Sequence, residues 1–230
     1  MIKKLTDWFC KTIPKAKNKT IINFYELLRA LNKLKPKKKK IREALEYNLE
    51  KFKDHLEIIR ENKGYIEDQN SYTDMKYGKV TMQYAGCEII ATFNAINNIL
   101  GECTKSLSEM ISEFEKDGCV LSGKFGTAPK AIADYFNKNG FIAKLTLKEK
   151  EFEEIAQQSE SLILTMYNDF TDIRKEIHTV NVSKSDGKYT AHNVYCNGQI
   201  VGPFDSISEI IKNINSGKAK GISLIGIRRK

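Results

Sequence analysis

The chain has 230 residues, 41% hydrophobic, 10% aromatic and 29% charged, with 14 Gly and 4 Pro. That composition belongs to a globular protein able to bury a core, and it excludes collagen-like, linker-like and mucin-like chains. The net charge of +9 is uneven: residues 1–40 hold 13 Lys/Arg against Asp7 and Glu26 (+11), 41–80 hold 7 against 9 acids (−2), and 81–230 are balanced at 18 each.

No window offers the roughly 18 consecutive apolar residues of a membrane-spanning helix, and Asp7, Lys11 and Lys15 interrupt what would be a signal-peptide core. Five cysteines (Cys10, Cys87, Cys103, Cys119, Cys196) form no CxxC, and the three histidines (His55, His178, His192) make no zinc-type set. The expectation is free thiols in a reducing, cytoplasmic compartment, with no metal and no other cofactor.

In chain order, Phe24, Leu27, Leu28, Leu31 and Leu34 recur at helical spacing until Lys35-Pro36, since a residue before proline avoids the α region. After the Lys37–Lys40 cluster, Leu45, Leu49, Phe52, Leu56 and Ile59 mark a second amphipathic helix closed by Gly64. These two predict a basic helical extension over residues 1–71, a hairpin whose apolar faces cover each other or the following domain. Next come a helix from Cys87 to about Leu100, another over 107–116, and a third opened by Thr127-Ala-Pro129 as N-cap and first turn. Strands are expected over 141–147, 162–166, 177–183, 188–195 and 221–227, and a helix over 206–215 with Asp205 as its cap. Helices first and then a mostly antiparallel sheet is an α+β order, with a domain over 72–230.

Cys87 follows Gly86 at a helix start, where unpaired N–H groups and the macrodipole favour thiolate. A lone Cys leading an apolar helix is also what a buried small hydrophobe looks like. A nucleophile needs a base, and His178 stands 91 residues later on a strand, with Asn193 15 residues beyond on the next. Centring the hairpin on Ser185-Asp186 places His178 opposite Asn193; centring it on Asp186-Gly187 leaves them diagonal. With the first register, the Asn193 amide would receive the Nδ1 proton and leave Nε2 to take the thiol proton. His192, flanking Asn193, is expected on the opposite strand face in a solvated or core role. His55 is expected on an exposed helix face, and no partner is expected for Cys103, Cys119 or Cys196.

Gly86-Cys87-Glu-Ile-Ile-Ala91, the stretch ending in Ala95, the Thr127–Ala133 helix, and His178 and Asn193 in adjacent strands resemble the papain-like cysteine peptidases related to bacteriocin-processing, double-glycine-cleaving domains. The resemblance covers about 72–230. It implies a papain-like peptidase fold, a Cys87–His178–Asn193 triad, and an upstream Gln that donates to the tetrahedral oxyanion. Gln83 is the candidate, four residues before Cys87 where the family places its Gln about six before; a surface-loop Gln is the competing reading. The implied activity is hydrolysis of a peptide or isopeptide bond through a thioester, with a peptide or protein as substrate. A thiol acyltransferase and a catalytically silent peptide-binding module are the rivals. For the basic segment 1–40 the partners weighed are an acidic partner or an anionic membrane surface, beside a plain solvated turn; no aromatic interleaving favours nucleic acid.

Overall fold

A computed structural model describes residues 12, 16–33, 38–102, 105–171 and 177–230. Trp8, Phe9, Cys10, Leu34, the Lys35-Pro36 stop, Lys37 and Cys103 lie outside the described residues. The chain is α+β. Helix α1 (Asn18–Lys33) is followed by α2 (Lys38–Phe52) and, after one 3-10 turn, by the short α3 (Leu56–Glu61). The two-residue strands β1 (Lys76–Tyr77) and β2 (Val80–Thr81) form a small hairpin. Then come α4 (Met82–Ala85), α5 (Cys87–Leu100), α6 (Leu107–Lys116) and α7 (Pro129–Lys138).

The rest of the chain builds one sheet. Strand β3 (Phe141–Thr146) precedes α8 (Phe152–Gln157), β4 (Ser161–Tyr167), β5 (Ile177–Ser185), β6 (Lys188–His192) and β7 (Val201–Phe204), with α9 (Ile207–Asn213) before β8 (Lys220–Arg229). All neighbours pair antiparallel in the order β3-β8-β4-β5-β6-β7. Both faces are covered, so central strands such as β4 read as near-continuous apolar runs. Ile163, Ile225 and Ile227 pack with α5, α6 and α7 on one face; Leu162, Leu164, Val180, Val182 and Leu224 pack with α8 and α9 on the other.

Several local expectations change in detail. The α7 N-cap is Ala128; Thr127 instead pairs its hydroxyl with Tyr77 Oη at 2.8 Å. Ser206, not Asp205, caps α9 by accepting from the Glu209 N–H at 3.1 Å, while Asp205 pairs with Lys188. Strand β6 ends at His192, three residues before its expected limit. Of the two coverings expected for the N-terminal helices, the second holds, since α1 lies on α7 and α2 on α6 of the following segment. Phe52, Ile59 and Ile66, from the segment set apart as an extension, belong to the same core as Ile89, Phe93 and Ile96 of α5. Phe52 meets Phe93 edge to face with ring centroids 6.3 Å apart. His55 is buried, stacked on Tyr72 at 4.1 Å and 3.2 Å from Asp74, because the 3-10 turn rolls it inward.

Candidate active site

The β5–β6 turn fixes the relation between His178 and Asn193. Asp186 and Gly187 have φ of 50° and 75°, the two positive angles a type I′ hairpin needs, and the pairing is Ser185 with Lys188 and Asn181 with His192. Of the two registers weighed, this is the one that keeps His178 and Asn193 from facing each other. Asn193 lies just past the strand with φ of 57°, a left-handed turn that Asn tolerates. That turn swings its carbonyl toward His178, whose Nε2 is 2.7 Å from the Asn193 backbone oxygen. A carbonyl only accepts, so Nε2 carries the proton and Nδ1 holds the open lone pair. The expected roles of the two ring nitrogens are therefore exchanged, and the orienting group is main chain, not the Asn193 amide. Burial pushes the His178 pKa down and the Asn193 carbonyl partly offsets it, so the ring is neutral at pH 7.

The Asn193 side chain is committed elsewhere. Its Oδ1 accepts from the Gln69 N–H at 3.1 Å and its Nδ2 donates to Gln69 Oε1 at 3.2 Å. Gln69 Nε2 in turn donates to the Met82 and Gln83 carbonyls at 3.2 and 2.9 Å, tying the segment ahead of Cys87 to the Asn193 turn. Gln83 itself contributes only main chain to this linkage; its side chain is exposed. Glu67 completes the support, accepting from the Asn193 N–H at 2.7 Å and meeting His192 Nδ1 at 2.5 Å. His192 Nε2 is 2.8 Å from Ser183 Oγ and its ring stacks on Tyr65, so this histidine is a satisfied core residue.

Cys87 opens α5 and is 8% exposed. Its Sγ donates to Glu88 Oε2 at 3.3 Å. Burial first and the Glu88 charge second hold the thiol well above its ordinary pKa, against the Thr179 N–H, which favours thiolate. No hydrogen bond joins Cys87 to His178. Along β5, Thr179 meets Thr165 at 3.1 Å on the face turned to α5, whereas His178 shares the face of Val180 and Val182 by strand alternation. The imidazole instead has Cys196 Sγ at 3.8 Å from Nε2, a neighbour the sequence spacing did not disclose.

Glu88 is the one charged residue of α5, buried under Tyr25 of α1. The space between Tyr25, Ile22, Glu88, Thr165 and Ile177 is too tight to admit water. Desolvation raises the Glu88 pKa to about 7, against the pull of its own N–H and that of Thr127 toward the charged form. Gly126 makes room for it: a Cβ there would stand 2.7 Å from Glu88 Oε1.

Sequence reasoning passed over Gln69, Glu67, Glu88 and Cys196. A signal existed for Glu88, a single charge in an otherwise uncharged helix. Glu67 and Gln69 sit in an irregular segment where no periodicity points inward. Among the described residues no cluster of His, Cys, Asp and Glu is arranged to hold a metal, and no helix is long and apolar enough to cross a membrane. Comparison with protein-family models and with curated proteins finds no match.

Proposed function

We propose that this chain is a papain-like cysteine peptidase that hydrolyses a peptide or isopeptide bond through a thioester on Cys87, with His178 as general base. The observation that carries the reading is the pinning of His178. Its Nε2–H is held by the Asn193 carbonyl, Nδ1 is left as the acceptor, and the N–H of the next residue, Thr179, favours the Cys87 thiolate. In the forward step Cys87 gives its proton to Nδ1 and the thiolate adds to the carbonyl carbon of the substrate. The Cys87 N–H at the start of α5 would then donate to the oxyanion. The imidazolium then protonates the leaving amine, and water cleaves the thioester with the ring again as base.

The thiol is turned to Glu88, and Tyr25 of α1 lies over that carboxyl. Turnover requires Sγ to leave Glu88 and the His178 ring to come round from the face it shares with Val180, so that Nδ1 and Sγ meet. A peptide-binding module without turnover is the second reading, favoured by the buried, protonated thiol.

Incubating the full chain under reducing conditions with a peptidyl vinyl sulfone, then mapping the adduct by mass spectrometry, tests the proposal. Modification at Cys87 that disappears in His178→Ala supports it. Absence of any Cys87 adduct, or an equal rate in His178→Ala, overturns it in favour of the binding module.

A further inference from the structure

We propose that the outward face of α1 is a docking surface for an anionic lipid bilayer. Helix α1 has two distinct sides. Ile22, Tyr25 and Arg29 face the protein, whereas Phe24, Leu27 and Leu31, spaced by three and four residues, stand 53%, 58% and 50% exposed on the opposite side. Single exposed apolar side chains are ordinary, but three aligned on one helix face make a stripe.

The helix is unable to bury that stripe by rolling. Arg29 is 5% exposed and its guanidinium reaches Asp117 at 2.7 Å and Asp134 at 3.1 Å, on two elements of the domain. Turning Phe24 inward would pull this cation away from both carboxylates.

Charge selects the occupant. Glu26 is the sole acid in α1 and is bonded to Arg29 at 3.2 Å, so no carboxylate borders the stripe from its own helix. Lys17 and Lys19 are exposed at the helix start, Lys38, Lys39 and Lys40 are exposed at the start of α2, and residues 1–40 carry +11. An apolar helix face with lysines before and after it along the chain is the pattern of a helix lying in the interface plane of an anionic membrane. A second copy presenting the same face would oppose like charges, and a nucleic-acid backbone offers nothing for the apolar stripe.

The test is co-sedimentation of the full chain with vesicles of about seven parts phosphatidylcholine to three parts phosphatidylserine, against phosphatidylcholine alone. Binding is expected to the anionic vesicles only. It should fall as salt is raised, since the Debye length shortens from about 8 Å at 0.15 M to about 3 Å at 1 M. The triple variant Phe24→Ser/Leu27→Ser/Leu31→Ser should lose about tenfold or more in affinity, whereas Ile58→Ser, an exposed apolar position on α3, should bind like the parent. Circular dichroism checks that both fold. A Leu27→Trp reporter in a Trp8→Phe background should shift to the blue on binding and be quenched by brominated lipid, even if the triple variant does not fold. Vesicle binding without that shift, equal binding by a folded triple variant, or self-association that the triple variant abolishes without any vesicle binding would each overturn the proposal.

Discussion

His178 Nε2 lies 2.7 Å from the backbone oxygen of Asn193, while the Asn193 side chain is turned to Gln69. The ring is thus oriented by a main-chain atom that no side-chain substitution removes. Asn193→Ala should leave the His178 titration, followed by NMR, near its parent value. It should nonetheless destabilise the protein by about 1–3 kcal/mol through the lost Gln69 pair, and Asn193→Gly, which accepts φ of 57° without strain, should recover about 1 kcal/mol of that. Thermal melts of the two variants measure the difference.

Thiol reactivity separates Cys87 from Cys196. Cys87 is buried and held as a thiol, whereas Cys196 is half-buried. In the folded full chain at neutral pH, iodoacetamide should therefore modify Cys196 before Cys87, reversing the order that helix-start position alone would give. Peptide mapping over time decides it, and Glu88→Gln should accelerate modification of Cys87 because the neighbouring negative charge is gone.

The Glu88 carboxyl carries a pH signature. Its pKa is about 7 in the folded chain against the ordinary 4.5, so the folded form binds more protons between these values. Stability should be fully present below pH 4.5 as far as this group is concerned, and fall as pH rises through 7, by on the order of 3 kcal/mol. Melting temperatures of the parent and of Glu88→Gln, measured from pH 5 to pH 9, should converge at the acid end and separate at the alkaline end, with the variant higher.

Arg29 fastens α1 to the domain. Arg29→Ala removes the guanidinium from Asp117, which keeps Lys138 at 3.2 Å, and from Asp134; the two carboxylates are 31% and 38% exposed and so keep much of their hydration. The expected cost is about 1–2 kcal/mol rather than that of a fully buried pair. Its more direct sign should be release of α1: faster cleavage within residues 18–33 under limited proteolysis, and faster alkylation of Cys87.

What the sequence determined by itself is the set of local elements whose signals are short-range. The α5 helix from Cys87, the α6 helix over Leu107–Lys116, the proline-led α7 and five of the six strands of the sheet follow from periodicity, caps and turn residues, which act within a few positions. The antiparallel α+β order was legible for the same reason. Tertiary structure decided the rest. Asp186-Gly187 was one of two turns consistent with the sequence; the register it sets, together with the end of β6 at His192, makes the Asn193 carbonyl the partner of His178. Gln69, Glu67 and Cys196 reach that turn through contacts 124, 126 and 18 residues apart in sequence. The inward roll of His55 and the burial of Glu88 under Tyr25 likewise depend on which surfaces meet. Chain separation of that order leaves no periodic trace, because the geometry comes from packing of distant elements and not from the conformational preferences of neighbours.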